Sequence, residues 1–384
     1  MKKRILSLSC TSLLLFSLLC GCSGVESLAQ RFLVQEAPPE DYTAQEDGFR
    51  YVKSCLTSQE QYIYDQLLAG IRDHAESIDG IYPDVDMIRK AAQAISRDYP
   101  EMFWFSGSGE IETTYLGSTP TESSYRPVYA VTPQQEPELQ AQIDQWAQDC
   151  FATIPEGASD YDKVLGVYRY IIDHADYQSV NNNSILNIMV GGAGLCGCYA
   201  QTTQYLLNRL GVPCTYISGR ANGESHAWNL VWLEGNPCWV DTTWGDPVFE
   251  GGNANDGASY EYFCITTTDL LRTHTIDPEI PVPDCTSEDY NYYRRSGLYF
   301  DSYNKSALTA AIQRAVEAQE KQVFLRFSDD IYVAACDAML NQGQLHSIFQ
   351  ETAAAQAGII DWQGELWYSK NEPMNTLTLT IPYR

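Results

Sequence analysis

The 384-residue chain carries 24 Lys+Arg against 50 Asp+Glu, a formal charge of -26, with 44% hydrophobic and 12% aromatic residues. This much apolar material excludes a disordered chain, and the length asks for more than one core. The acidic balance repels phosphate backbones, so nucleic acid is not an expected partner, and the 12 cysteines fit an oxidising compartment better than a reducing cytosol.

At the N-terminus, Lys2, Lys3 and Arg4 precede an apolar run from Ile5 to Leu19, which is shorter than the roughly 20 residues of a membrane-spanning helix. The pattern reads as a secretory signal. Its end, Leu19-Cys20-Gly21-Cys22, resembles the bacterial lipobox, which implies a signal peptide over 1–21 and a lipid on Cys22. The expected location is therefore the extracytoplasmic face of a bacterial cell membrane, with 22–50 as a tether containing Pro38-Pro39 and no sustained periodicity.

An N-terminal α+β region is expected over 51–150. Thr57-Ser58-Gln59-Glu60 has the form of a capping box, and Tyr64, Leu67, Leu68, Ile71 and Ala75 follow at helical spacing, which predicts a helix over about 58–76. Asp84 is placed to cap a second helix with Met87, Ile88, Ala91, Ala92 and Ile95 on its apolar face, ending before Pro100. Phe103 to Phe105 and Tyr125 to Val131 read as strands separated by a Gly/Ser/Thr-rich turn region. Residues 137–152 suggest a polar helix, and from Ser159 the pattern Val164, Leu165, Val167, Tyr168, Ile171 and Ile172 marks a buried one.

The chemistry concentrates in a domain expected over 151–275. Glycines 191, 192, 194 and 197 surround Cys196 ahead of a helix containing Tyr199, Thr203, Leu206, Leu207 and Leu210, with Gly211 as its stop. A cysteine at the first helical turn meets free N–H groups and the positive end of the helix dipole, which favour the nucleophilic thiolate. Three strands are expected next, over 212–219, 226–233 and 238–243, the last two closing Leu233 against Cys238 across Glu234-Gly235-Asn236-Pro237. That hairpin puts His226 and Asp241 on one face but not opposite each other; their contact would need a longer loop or a bulge.

With Cys196 facing His226 and Asp241 behind the ring, the set forms a Cys-His-Asp triad: nucleophile, base and orienting carboxylate. The Cys196 N–H would be the first oxyanion donor, and no second donor can be named from sequence. Three ordered blocks carry a resemblance to the transglutaminase-like superfamily of papain-like folds. They are Cys196-Gly197-Cys198-Tyr199-Ala200, His226-Ala227-Trp228-Asn229 and Trp239-Val240-Asp241-Thr242-Thr243-Trp244. The resemblance implies an α+β core in which the cysteine-bearing helix packs on an antiparallel sheet. It also implies the catalytic roles of Cys196, His226 and Asp241, a thioester acyl-enzyme, and a protein or peptide substrate. Cys198 departs from the glycine usual there.

Cys196, Cys198, Cys214, His226 and Cys238 are zinc-ligand types without zinc-ribbon or finger spacing, so neither metal nor cofactor is expected. Trp228, Trp239 and Trp244 are expected in the core or the cleft wall, and His74, His174, His274 and His346 on scaffold surfaces. Gly251 to Gly257 reads as a loop and the prolines between 278 and 284 as a boundary. Residues 286–384 then suggest a small C-terminal α+β module: a strand near 298–300, a helix over 306–319, a strand over 323–327, two short helices and a hairpin ending in Leu377, Leu379 and Ile381.

The sequence thus points to a lipid-anchored cysteine enzyme acting on amide bonds, a protease or amide hydrolase rather than a transamidase, with cell-wall peptide among its candidate substrates. The alternative is a catalytically silent binding lipoprotein that keeps the fold. Of the cysteines, Cys10 and Cys20 belong to the signal and Cys22 to the anchor. Setting Cys196 aside leaves eight, enough for up to four disulfides.

Overall fold

The computed structural model describes residues 34–44, 48–246, 258–355 and 359–384. The signal segment, Cys22 and the loop Gly251 to Gly257 lie outside the described residues. The chain divides into two compact units, residues 1–136 and 137–384. Among the described residues no helix is long and apolar enough to cross a membrane.

In the first unit, helix α1 (Ser58–Arg72) begins at the expected capping box: Thr57 Oγ1 accepts from Glu60 N at 3.3 Å, and Glu60 Oε2 accepts from Thr57 N at 2.8 Å. Ile63, Tyr64, Leu67, Leu68 and Ile71 are buried along one face. The helix stops four residues earlier than its periodicity predicts, because His74 takes a left-handed φ of +51° and closes the end. His74 is not a surface histidine: it stacks on Trp104 and its Nε2 lies 2.9 Å from Glu136 Oε2.

After strand β1 (Ile78–Ile81), helix α2 (Val85–Asp98) is capped by Asp84 Oδ1, which accepts from Asp86 N and Met87 N. Its last residue, Asp98, is buried and takes N–H groups from Val52 and Lys53 at 3.0 and 2.8 Å and the Tyr64 hydroxyl at 3.0 Å.

The strands expected at Phe105 and from Tyr125 to Tyr129 belong to one long hairpin, β2 (Phe105–Leu116) and β3 (Thr119–Tyr129), which also takes in the segment expected as a turn region, in a sheet ordered β1-β3-β2. Its inward face is only partly buried, so small polar residues suffice, and the Thr113 and Ser123 hydroxyls bond across the ladder at 2.8 Å. Without deep apolar alternation the sequence carried no strand signal between those ends.

The second unit opens with α3 (Glu136–Ala152, starting at the unit boundary) and α4 (Asp160–His174). A short parallel pair, β4 (Asp176–Tyr177) and β5 (Ala193–Gly194), brackets α5 (Ile185–Met189) and leads directly into α6 (Cys196–Arg209). An antiparallel sheet follows in the order β10-β6-β7-β8-β9, built from β6 (Cys214–Ala221), β7 (Glu224–Leu233), β8 (Asn236–Val240), β9 (Phe263–Ile265) and β10 (His274–Ile276). Helix α6 lies on β6 and β7 with Tyr199, Ala200, Thr203, Leu206 and Leu207 buried. Asn229 Nδ2 donates to Ala200 O at 2.9 Å, and Thr203 meets Thr242 hydroxyl to hydroxyl at 2.9 Å, tying helix to sheet. Trp228, Trp239 and Trp244 are buried as expected.

The C-terminal part forms a second sheet, β11-β12-β14-β13, from β11 (Tyr299–Phe300), β12 (Gln322–Phe327), β13 (Tyr368–Asn371) and β14 (Thr376–Thr380). Helices α7 (Lys305–Glu317) and α8 (Gln344–Ala355) share its core with Leu325, Phe327, Leu377 and Leu379. Arg326 Nη2 reaches Asp269 at 2.6 Å, and Glu261 accepts from Thr376 and Asn371. The nine described cysteines are free thiols.

Candidate active site

The β7–β8 hairpin is tighter than the sequence suggests. Glu234 and Gly235 both take left-handed φ, +51° and +83°, so two residues close the turn and Leu233 pairs with Asn236. Relative to the expected Leu233–Cys238 closure, this slides β8 along by two residues. Val240 now faces Asn229, which carries Asp241 to the diagonal position beside His226 without any bulge. His226 Nε2 and Asp241 Oδ2 meet at 2.7 Å.

Strand β8 ends at Val240 rather than continuing to Thr243, and Asp241 N donates to Tyr262 O at 3.0 Å. The carboxylate is fully enclosed: Oδ1 accepts from Trp244 N at 3.1 Å, and Oδ2 takes a second imidazole, His274 Nε2, at 3.3 Å. His274 is 1% exposed. Expected on a surface, it sits in the site because β10 pairs with β6, placing His274 against Ala221. Its carboxylate partner is 33 residues away in sequence, so no local spacing could announce the contact.

Cys196 is the first residue of α6, and Leu195 provides no side-chain cap, which leaves the first-turn N–H groups to other acceptors. The Cys196 side chain is near enough to the His226 ring to raise its pKa; with Nε2 held by Asp241, Nδ1 is the nitrogen left to face it. The structure therefore gathers Cys196, His226 and Asp241 at one site. The next residue, Gly197, lies under the end of the exposed Asn183 side chain. A Cβ there would come within 2.2 Å of the Asn183 side chain, whose carboxamide lies against the peptide following the nucleophile.

Burial disfavours an imidazolium at His226, yet the charge of Asp241 and the bonds from Asp241 and Cys196 outweigh it and raise its pKa to about 10. Burial likewise works against the Asp241 anion, and the charge of His226 with the N–H donors of His226 and His274 overcomes it, holding the carboxyl well below its ordinary range. The ligand-type atoms of His226, Asp241 and His274 lie within 4.8 Å of one another. The 2.7 Å contact between two of them is a direct hydrogen bond, shorter than the roughly 3.3 Å between neighbouring ligands on a tetrahedral zinc. A separate cavity of about 570 Å³, lined by Arg169, Tyr260, Tyr292, Arg314 and Phe324, contains none of the three residues. Volume without aligned reacting groups does not make it the better candidate.

The model of the transglutaminase-like superfamily matches residues 145–243. The chain carries a transglutaminase-like domain. That match spans α3 to the turn after Asp241 and stops short of β9, β10 and His274. A protein solved as a TGase is 16% identical, with 38% of this chain and 47% of that one covered and a TM-score of 0.26. A Cytophaga hutchinsonii protein provisionally assigned as a cysteine protease is 20% identical, with 37% and 64% covered and a TM-score of 0.25. The periplasmic domain of TgpA from Pseudomonas aeruginosa, solved with ethylmercury, is 15% identical, with 35% and 65% covered and a TM-score of 0.21. The chain spans about half the length of the first of these structures and under two thirds of the others. No curated protein matches it.

Proposed function

We propose that the chain is a cysteine acyl-transfer enzyme that cleaves peptide or side-chain amide bonds through a thioester on Cys196. The 2.7 Å contact between His226 and Asp241, with the Cys196 side chain near the same ring, carries this reading. His226, whose raised pKa favours the imidazolium, already holds the thiol proton as sulfur bonds to the amide carbon, and Asp241 stabilises that imidazolium. Collapse of the tetrahedral intermediate breaks the C–N bond, and His226 returns the proton to the departing amine. Water then attacks the thioester, giving its proton to His226, and the carboxylic acid leaves as the thiol re-forms. Hydrolysis is the favoured outcome because water asks for no second binding site, whereas transamidation asks for an amine site and exclusion of water. Surface anchoring by lipid on Cys22 would direct the enzyme to extracytoplasmic protein or peptide, with cell-wall peptide a natural candidate.

Labelling of the purified chain with iodoacetamide, read by mass spectrometry, tests the activated thiol. Cys196 is expected to react fastest of the described cysteines, most of which are buried, and to lose that advantage in His226→Ala. Indifference to His226 would refute the reading and leave a silent binding protein as its replacement. Capture of an acyl adduct on Cys196 from peptide or cell-wall mixtures would identify the acyl donor.

A further inference from the structure

We propose that His274 is a positioning residue for the site: it shares the Asp241 oxygen that holds His226 and so sets how tightly His226 keeps its proton. The inference rests on the reading of Asp241 as the partner of the catalytic base. Asp241 Oδ2 accepts at 2.7 Å from His226 and at 3.3 Å from His274. A carboxylate has no proton to give, so both contacting Nε2 atoms carry hydrogen. His274 Nδ1 lies 2.8 Å from Thr273 Oγ1, which lies 3.0 Å from the Tyr262 hydroxyl. One direction satisfies every atom: Tyr262 donates to Thr273, Thr273 donates to His274 Nδ1, and His274 Nε2–H donates to Asp241. Packing holds the ring in this pose, with the rings of Trp244, Trp228 and Tyr262 at 4.7, 4.9 and 5.2 Å.

The arrangement does more than fill space, because the second donor falls on the oxygen already bound to His226. Each donor draws negative charge from that oxygen, so His274 weakens the attraction between Asp241 and the His226 proton. Trp244 N keeps the other carboxylate oxygen in place, so loss of His274 should change the charge that His226 meets more than the direction of the carboxylate. Among the described residues, the other titratable side chains near the set are Cys196 on α6, Tyr168 on α4 and Tyr177 on β4, with Glu224 on β7 beside Tyr177.

The test uses the full chain as wild type, His274→Leu, His274→Gln and Thr273→Val. The His226 ring is titrated by NMR, and the pH profile of Cys196 alkylation is followed in parallel. In His274→Leu the step at which His226 loses its proton should move up by about half a pH unit or more. Thr273→Val, which removes the donor behind His274, should move it in the same direction by less. Gln can supply an N–H to the same oxygen and should restore the wild-type position, a rescue that a purely packing role would not produce. Unchanged His226 titration in Thr273→Val and His274→Leu would overturn the proposal; if the leucine variant fails to fold, Thr273→Val alone decides. If wild-type alkylation shows no step linked to His226, the nucleophile–base reading fails instead, while the NMR titration still reports on the sharing of Asp241.

Discussion

Two buried aspartates, one in each unit, show what separates a structural carboxylate from a chemical one. Asp98 and Asp241 are each 1% exposed, and burial opposes the charge of both. Asp98 is met by two backbone N–H groups and a tyrosine hydroxyl, with the Arg50 charge only a lesser influence; burial wins and its pKa rises to about 6. Asp241 is met by two imidazoles, one of them near a thiol, and its pKa falls. Neutral donors anchor a carboxylate in place, whereas a titratable partner turns it into half of a proton-holding pair.

Exchanging each aspartate for its amide should give the sharpest contrast. Asp241→Asn is expected to reduce acyl-enzyme formation on Cys196 by on the order of 10³-fold or more, since an amide cannot stabilise the imidazolium. Asp98→Asn should leave that rate unchanged. Equal losses in both variants would show that the Asp241 effect is one of folding.

Stability against pH should separate the two with opposite signs. Asp98 binds its proton more tightly folded than unfolded, so its contribution is fully present below about pH 4 and is lost as pH rises through about 6. The loss is on the order of 3 kcal/mol, and denaturant melts of wild type against Asp98→Asn over that window would detect it. The His226–Asp241 pair runs the other way at its acid edge. The lowered carboxyl stabilises above its unfolded pKa near 4 and loses that as pH falls further. The raised imidazole stabilises fully below about 6.5 and loses that as pH climbs through about 10. His226→Gln should flatten the alkaline slope.

The smallest effect belongs to the cap of α1. Thr57→Ala removes the Oγ1 acceptor of Glu60 N and should cost about 1 kcal/mol, leaving Cys196 labelling unchanged. A loss of labelling would tie the site to the integrity of the first unit.

Much of this molecule was legible before folding. The capping box at Thr57, the cap at Asp84, the start of α6 at Cys196 and its stop at Gly211, φ +78°, are local events, each written in a few neighbouring residues. Only the outer ends of the β2–β3 hairpin, at Phe105 and Tyr125 to Tyr129, were legible, because the weakly buried ladder between them needs no apolar alternation. The β7–β8 register was misjudged because Glu234 takes a left-handed φ, leaving Asn236-Pro237 to the strand. Small as that difference is, it moves every cross-strand partner by two residues.

By itself, the sequence determined which residues have the chemistry: a thiol at a helix start, an imidazole and a carboxylate on neighbouring strands, in an order that resembles one superfamily. Only the tertiary structure decided that the carboxylate reaches the imidazole, that Asn183 lies on Gly197, and that His274 claims the same oxygen as His226. The physical reason is distance along the chain. Caps and helix faces are set within a few residues, but the Asp241 contacts join positions 15 and 33 residues apart, and strand pairing in the five-stranded sheet is what brings them within hydrogen-bond reach.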